Sequence, residues 1–233
     1  MYTGAHSVYF GSKNTWTDWF LIPSSRPVFN PPKQKTQYLD IPGASGSLDL
    51  SESLTPYPIF NDREGTMEFA VDNDHREWHA LYSEIMDYLH GRTMQARLAD
   101  DPNNYYEGRF SVNEWKSEPA NSVISISYRV GPYKWATTET LLFNRTTTSS
   151  AVSNPIPATA YGNAPVNPKL VISTSVSQGM TVRFVNAALS IDETLLLKTG
   201  THTPPEFVLY GGAATMYFTG AGSVQVFVRK GGL

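Results

Sequence analysis

The chain has 233 residues, with 18 lysines and arginines against 21 aspartates and glutamates, so its formal net charge is −3 at pH 7. This balance excludes a generally basic protein that binds nucleic acid or membrane surfaces. Cysteine is absent, which excludes disulfides, thiol catalysis and cysteine-ligated metals. No run approaches the roughly 20 apolar residues of a membrane span, and we expect no secretory signal in the first ten residues.

The two halves of the chain differ in composition. Residues 1–135 hold 12 basic and 17 acidic residues, whereas residues 136–233 hold 6 and 4. The stretch 146–168 is rich in Ser, Thr, Asn, Pro, Ala and Gly, which is typical of a linker or a long loop. We therefore expect a first domain over 1–135, a connection over 136–168, and a second domain over 169–233 that includes part of the connection.

Strand patterns dominate the chain. Alternating apolar and polar residues, or short apolar runs between Gly, Pro and Asn, predict nine strands. In chain order they cover residues 66–71, 109–112, 122–128, 169–174, 180–185, 194–197, 206–210, 215–218 and 223–228. Short strands separated by turn signals, with almost no helix, indicate a mainly β chain built from β-sandwiches.

One helix is predicted, over about residues 74–90. Asp74 and Glu77 have the spacing of a capping box at a helix N-terminus, and Gly91 stands where a glycine commonly ends a helix. Between them, apolar side chains recur at helical spacing within an arc of about 120°. This apolar stripe consists of Trp78, Leu81, Tyr82, Ile85, Tyr88 and Leu89.

Two groups of polar residues have the composition of a chemical site. His75 and His79 lie four residues apart, a spacing that can hold a metal, but no third ligand is implied. Asp100 and Asp101, with Glu107 nearby, have the residue types of an acid–base pair, yet Asp-Pro-Asn-Asn is typical of a turn between strands. We therefore predict no catalytic residues, no metal and no cofactor.

A series of short motifs runs through the first 135 residues in a fixed order. The motifs are Asn14–Pro27, Asp40–Leu54, Asn61–Arg63, Met67–Phe69, Leu89–Arg92, Ala99–Asp101, Tyr105–Arg109 and Gly131–Lys134. Each motif alone is weak, but in this order and spacing they resemble the distal tail protein family of bacteriophages with long, non-contractile tails.

The resemblance implies a fold for each domain. The first domain would be a ring-forming β-sandwich with one α-helix and a protruding β-hairpin. The second would be a galectin-like or carbohydrate-module-like β-sandwich, although no motif in residues 136–233 identifies it. Within the Asp40–Gly46 segment, two glycines bracket a tight turn in which positive φ is expected.

The resemblance also implies a function and a set of partners. Six copies would form a ring at the tail tip, a structural hub that joins the major tail tube protein to the tail-tip hub or tail-associated lysin and to a receptor-binding protein or fibre. The protein would be part of the virion after assembly in the host cytoplasm. It would be no enzyme, bind no specific nucleic acid and insert into no membrane. The alternative is a carbohydrate-binding adhesion module, in which the second domain binds a host surface glycan.

Four aromatic residues allow two interpretations. Trp16, Trp19, Tyr105 and Tyr106 have the side chains of sugar-stacking platforms, or they belong to a core or an interface, which we favour. A closed ring needs two different contact patches on each subunit. We predict that both patches lie in the first domain and that these four residues, together with Arg109, belong to them.

Overall fold

The structure is a computed structural model that describes residues 3–72, 77–116, 122–148 and 150–233. The chain divides into two compact units, Met1–Lys134 and Trp135–Leu233. Both units consist mainly of antiparallel strands, as the sequence patterns predict.

The first unit combines a large sheet, a small hairpin and a helix. Its elements are β1 (Val8–Phe10), β2 (Lys13–Asn14), β3 (Leu21–Pro23), β4 (Tyr38–Asp40), β5 (Ser47–Asp49), β6 (Arg63–Val71), α1 (Trp78–Leu89), β7 (Arg92–Leu98), β8 (Asn104–Lys116) and β9 (Val123–Val130). Seven strands form one antiparallel sheet in the order β2-β1-β7-β8-β9-β6-β3. The strands β4 and β5 pair only with each other in the described part of the chain.

A single apolar core holds this sheet in a curled form. Phe10 of β1 and Leu21 of β3 lie near opposite edges of the sheet, yet both belong to one buried cluster with Phe69 and Phe110. The sheet must therefore curl around the cluster. The alternating pattern of β9, with Ile124 and three further even-numbered residues buried, places its other face outward.

The helix α1 closes one side of this core. Leu81, Ile85 and Leu89 are fully buried, as expected for residues four apart on one face. The helix packs against β8, where the Trp115 ring meets the Tyr82 ring edge-on at 4.5 Å. Gly91 follows the helix with φ of 71°, in agreement with its predicted position just after the last turn.

The N-terminus of the helix differs from the prediction. Asp74, His75 and Arg76 lie outside the described residues. Glu77 has an extended backbone with no capping hydrogen bond from its side chain, and the helix begins at Trp78 rather than at about 74. Glu77 is therefore not inside the first turn, where the capping box would require it. The described helix begins with the first residue of the apolar stripe, since burial of that stripe stabilises it.

The second unit is a β-sandwich. Its elements are β10 (Lys134–Ala136, which begins at the boundary), β11 (Thr140–Thr147), β12 (Val152–Ile156), β13 (Lys169–Thr174), β14 (Met180–Asn186), β15 (Ile191–Leu197), β16 (Gly200–His202), β17 (Ala214–Thr219), β18 (Gly222–Val228) and β19 (Gly231–Gly232). Two four-stranded antiparallel sheets have the orders β11-β18-β13-β16 and β12-β17-β14-β15. Their inner faces meet, for example where Phe143 of one sheet packs against Phe218 of the other with ring centroids 5.7 Å apart.

Residues 136–168, interpreted from composition as a connection, contain two of these strands. β11 pairs with β18 and β12 pairs with β17, so both are integral parts of the sandwich. The Ser and Thr residues that suggested a linker are also compatible with strands, since Thr is β-branched. The composition alone therefore does not distinguish a linker from a pair of β-strands.

The strand predicted over residues 206–210 is absent. Phe207 and Leu209 are fully buried, but this segment has only an isolated bridge, between Leu209 and Val166. Two asparagine side chains satisfy its carbonyl groups. The Asn167 amide donates to the Phe207 oxygen at 2.9 Å, and the Asn186 amide donates to the oxygens of Val208 and Tyr210. The apolar alternation predicted burial correctly. However, asparagine side chains, and not a neighbouring strand, bond to most of the carbonyl groups of this segment.

Candidate functional site

The polar groups singled out in the sequence, where the structure describes them, lie on α1, in the turn between β7 and β8, and on β8. Among the described residues, no group of three or more His, Asp or Glu side chains has the arrangement of a metal site. His79 is exposed on α1, and His75 lies outside the described residues. In the same part of the chain, no helix is long and apolar enough to span a membrane.

Asp100 and Asp101 lie in the turn between β7 and β8, and each bonds to its own basic group. His6 Nδ1 lies 2.7 Å and Arg26 Nε 2.8 Å from Asp100 Oδ2. The hydrogen bond from His6, with a smaller contribution from Arg26, lowers the pKa of the Asp100 carboxyl. Asp101 instead accepts from Lys134 Nζ at 3.1 Å. Both carboxylates are held by basic side chains and so fix the positions of loops. The lowered pKa also makes the Asp100 carboxyl a poor proton donor.

The five predicted contact residues are separated by the fold. Trp19 is fully buried in the core, and Tyr105 is 9% exposed, so neither side chain is available to a second chain. Burial follows from local packing: the Trp19 ring meets the Tyr88 ring of α1 edge-on at 5.6 Å. Trp16 is half-buried and packs against Phe20.

On β8, Tyr106 is half-buried and Arg109 is exposed. The Tyr106 ring packs against Phe29 with centroids 4.1 Å apart, and Arg109 donates to the carbonyl of Gly91. Among the five candidates, only Arg109 is fully exposed. Gly108 between them lies so close to the Arg129 carbonyl that a side chain at this position would collide with the backbone.

The main exposed feature of the first unit is a projecting hairpin, which we call the arm (residues 33–61). Backbone hydrogen bonds join its two limbs at the base, from Lys35 to Ile59 at 2.7 Å and from Asn61 to Lys33 at 2.8 Å. The strands β4 and β5 form its outer part, and every residue of both is exposed. At the turn, Gly43 and Gly46 have φ of 85° and 81°, which confirms the expected positive φ values.

The arm exposes apolar side chains on both of its faces. Leu39 and Leu48 are cross-strand partners and are 51% and 48% exposed. Tyr38, Ile41 and Leu54 are also exposed, and Leu54 is 96% exposed. Clustered apolar groups in water cost roughly 25 cal/mol per Å², so such a cluster commonly marks a contact surface. The family resemblance predicted a protruding β-hairpin in the first domain, and the arm is this hairpin, but the apolar side chains that it exposes were not predicted.

A buried arginine fixes the root of the arm to the sheet. Arg63, the first residue of β6, is 5% exposed and donates to the carbonyls of Asn30 and Pro132, both at 2.9 Å. Its guanidinium lies 5.3 Å from the centre of the Tyr106 ring. Burial lowers the pKa of Arg63. The Tyr128 hydroxyl accepts from the Asn30 backbone N–H at 2.9 Å, so two sheet residues hold the segment that leads into the arm.

A polar cleft of about 600 Å³ lies beside this root. Its lining residues are Asn30, Pro31, Lys33, Lys35, Asn61, Asp62, Glu64 and Arg129. Arg129 Nε lies 2.9 Å from Asp62 and 3.4 Å from Glu64, so its charge is already balanced. The outward face of the sheet continues from the cleft with Thr66, Ser111 and Ser127. This face is hydrophilic and carries charges of both signs.

The described residues define a two-unit, mainly β protein whose first unit carries a helix and a projecting hairpin. The solved structures include a match over nearly the whole chain, to a chain titled "Crystal Structure of SPP1 Dit (gp 19.1) Protein, a Paradigm of Hub Adsorption Apparatus in Gram-positive Infecting Phages". The match covers 98% of this chain and 100% of that chain, with a TM-score of 0.69 and 15% sequence identity. No protein-family model and no curated protein matches the sequence. The resemblance inferred from the motifs is thus confirmed at the level of the fold, which is that of a distal tail protein.

Proposed function

We propose that the chain is a structural hub of a bacteriophage tail tip. In this proposal six copies form a ring that joins the tail tube protein to the tail-tip hub or tail-associated lysin and to the receptor-binding apparatus. The observation that carries the proposal is the similarity in fold over nearly the whole chain to a protein titled as part of a hub adsorption apparatus. The protein would act in the virion, at the end of the tail.

The arm gives this proposal a physical basis. The exposure of an apolar hairpin to water is unfavourable. The free energy falls when the hairpin packs against another surface. The arm extends from a root held by Arg63 and Tyr128, so its base has a defined direction. We infer that the arm packs on the neighbouring subunit in the ring. Contacts of this heterologous type generate a closed ring when the rotation between subunits closes.

The proposed role is structural and assigns no catalysis to the chain. Asp100 and Asp101 are held by basic partners, and the described residues contain no cluster suited to a metal. The carbohydrate-binding alternative has no comparable support in the second unit. There the Arg183 guanidinium lies 5.6 Å from the centre of the Tyr217 ring and is paired with Asp192, so the face of this aromatic ring is already covered.

The test is the oligomeric state of the purified protein and of an arm variant. We expect native mass spectrometry and negative-stain images to show hexameric rings for the unmodified chain. The double substitution Leu39→Lys and Leu48→Lys places charges on the exposed arm and should yield monomers with unchanged circular dichroism. Leu141→Lys is the matched control, because Leu141 is 46% exposed in the second unit, outside the arm.

Two results would contradict the proposal. A chain that remains monomeric at every concentration, with or without a tail tube protein, is not a ring-forming hub. Rings that persist in the arm variant would show that the subunit contacts lie outside the arm, and the role assigned to the arm would be wrong.

A further inference from the structure

The second unit has one sheet edge that is long, regular and unpaired. β15 pairs with β14 over seven residues in continuous register. In the part of the chain that the structure describes, no backbone hydrogen bond joins β15 to a strand on its other side. An edge of this kind presents a row of free N–H and C=O groups to solvent.

The other edges of the sandwich are less suited to pairing. β16 has three residues, and β12 has five and contains Pro155, which lacks an N–H group. β11 has an irregularity in its register between Leu141 and Phe143. Further along β11, Arg145 Nε donates to Asn154 Oδ1 of β12 at 3.1 Å and links the two sheets. β15 contains neither proline nor glycine, and among the described residues no side-chain hydrogen bond links it to the opposite sheet.

Apolar groups line a cleft next to this edge. Leu195 and Leu197 are half-buried and form the apolar side of a cleft of about 360 Å³ between β15 and the segment 201–206. This volume is at the lower end of the roughly 300–1,000 Å³ that is usual for binding sites. Leu196 points to the opposite face of the sheet and is 60% exposed. The C-terminal part of the edge strand, residues 195–197, is thus apolar on both faces.

Unbalanced acidic groups lie at the same place. Residues 136–233 contain four acidic side chains, of which Glu139 and Asp192 form ion pairs. The other two, Glu193 and Glu206, form none among the described residues. Glu206 lines the cleft, and Glu193 lies on the same face of β15 as Leu195. A ligand at this edge would therefore gain from positive charge.

We propose that β15 is a docking edge for an extended segment of another protein, which adds a strand to the sheet, places an apolar side chain in the cleft and places a basic side chain near Glu193 and Glu206. Backbone pairing supplies affinity in this mode of recognition, and alternate side chains supply specificity. A second copy of β15 is the poorer occupant, because β15 has no basic side chain on its inner face to balance the two carboxylates. The inference does not depend on ring formation by the first unit.

The test uses the full chain and two labelled peptides. The probes are Thr-Lys-Thr-Phe-Thr-Val-Thr and its reverse, which place Lys, Phe and Val on one face in either strand direction. We expect saturable fluorescence anisotropy with one of them below ~1 mM. Replacement of the central Phe by Pro removes an N–H group and should weaken binding at least tenfold, because Pro also cannot fill the cleft in the same way. An N-methylated Phe at that position separates the two effects and should weaken binding similarly.

A charge exchange identifies the site. Glu193→Lys with Glu206→Lys should weaken the Lys peptide at least tenfold, and a peptide with Glu in place of Lys should regain binding to that variant. Asp87→Lys is the control for a charge reversal away from this edge, since Asp87 is exposed on α1 in the first unit, and should leave binding within twofold. Three results overturn the proposal: neither peptide binds, backbone methylation has no effect, or charge reversal has no effect. Self-association of the full chain that Leu196→Lys abolishes would also overturn it, by assigning the edge to a second copy.

Discussion

The indole Nε1 of Trp19 donates a hydrogen bond to Glu84 Oε1 on α1, at 3.2 Å. The two residues are 65 positions apart in the sequence, and their contact joins the loop before β3 to the helix. The same ring lies near Phe10 of β1, with centroids 6.5 Å apart. Trp19 therefore connects the helix to the sheet inside the first unit and is a core residue.

We predict that Trp19→Ala destabilises the first unit by about 3–5 kcal/mol, because it removes a fully buried aromatic ring and leaves a cavity. Urea unfolding followed by circular dichroism measures this loss. Glu84→Gln is the control, since it keeps an acceptor oxygen for the indole and should cost under about 1.5 kcal/mol. A stable Trp19→Ala protein that no longer forms rings would show instead that Trp19 contacts a neighbouring subunit.

The pairing of Asp100 predicts a dependence of stability on pH. The pKa of this carboxyl lies below its ordinary value of 3.8 in the folded protein. Its contribution is therefore complete above about pH 4 and is lost as the pH falls through the lowered pKa, because the unfolded chain then binds more protons. Thermal unfolding should show Asp100→Asn less stable than the parent at pH 6, with the difference shrinking below pH 4.

The comparison needs a carboxylate that has no such partner. Asp87 is exposed on α1, and Asp87→Asn should change the unfolding temperature little at either pH. If the effect of Asp100→Asn is the same at pH 6 and at pH 3, the pairing with His6 and Arg26 does not contribute in the way proposed.

Charge predicts how the first unit behaves toward DNA. Residues 1–135 carry 12 basic and 17 acidic residues, a net charge of −5. The outward face of the sheet holds no excess of positive charge near Arg129, because Asp62 and Glu64 pair with it. Phosphate binding requires clustered basic groups that release counterions. We expect no measurable affinity for duplex DNA at physiological salt in a fluorescence polarisation assay, and micromolar binding would contradict this expectation.

The unit boundary predicts which fragments fold. A fragment of residues 135–233 contains all the strands of both sandwich sheets and should unfold cooperatively as a monomer. A fragment of residues 146–233 loses most of β11, and with it the partner on one side of β18, and should be far less stable. Residues 1–134 should still form rings, because we place both ring contacts in the first unit. Light scattering distinguishes these outcomes, and rings formed by 135–233 would reverse the assignment.

The sequence predicted the fold wherever burial follows a simple period. The predicted helical stripe includes Leu81, Ile85 and Leu89, which are buried. In β9 the even-numbered residues are buried as the alternation predicts, although Ser125 is buried too. Periodicity did not predict the secondary structure where polar side chains, rather than a neighbouring strand, bond to the backbone. Residues 206–210 alternate like a strand, yet the amides of Asn167 and Asn186 bond to their carbonyls from positions far along the chain.

The candidate site was less predictable, because exposure depends on what the fold leaves uncovered. Trp19 and Leu39 are both apolar residues, one in the loop before β3 and one in the short strand β4, but the first is fully buried and the second is 51% exposed. Only the sheet order shows that β4 and β5 have no neighbours among the described strands. The arm and the β15 edge are properties of topology, which no local pattern of residues specifies.

The asparagine that supports residues 204–207 also affects the chemical durability of the chain. Deamidation requires the backbone nitrogen of the next residue to attack the asparagine side-chain carbon, and Asn167 is followed by Pro168, whose nitrogen carries no hydrogen. Conversion to aspartate would replace an amide donor by a carboxylate facing the carbonyls of Pro205 and Phe207. Deamidation of Asn167 would disrupt this segment, but the following proline makes that reaction slow. Peptide mapping after prolonged storage at alkaline pH would measure it.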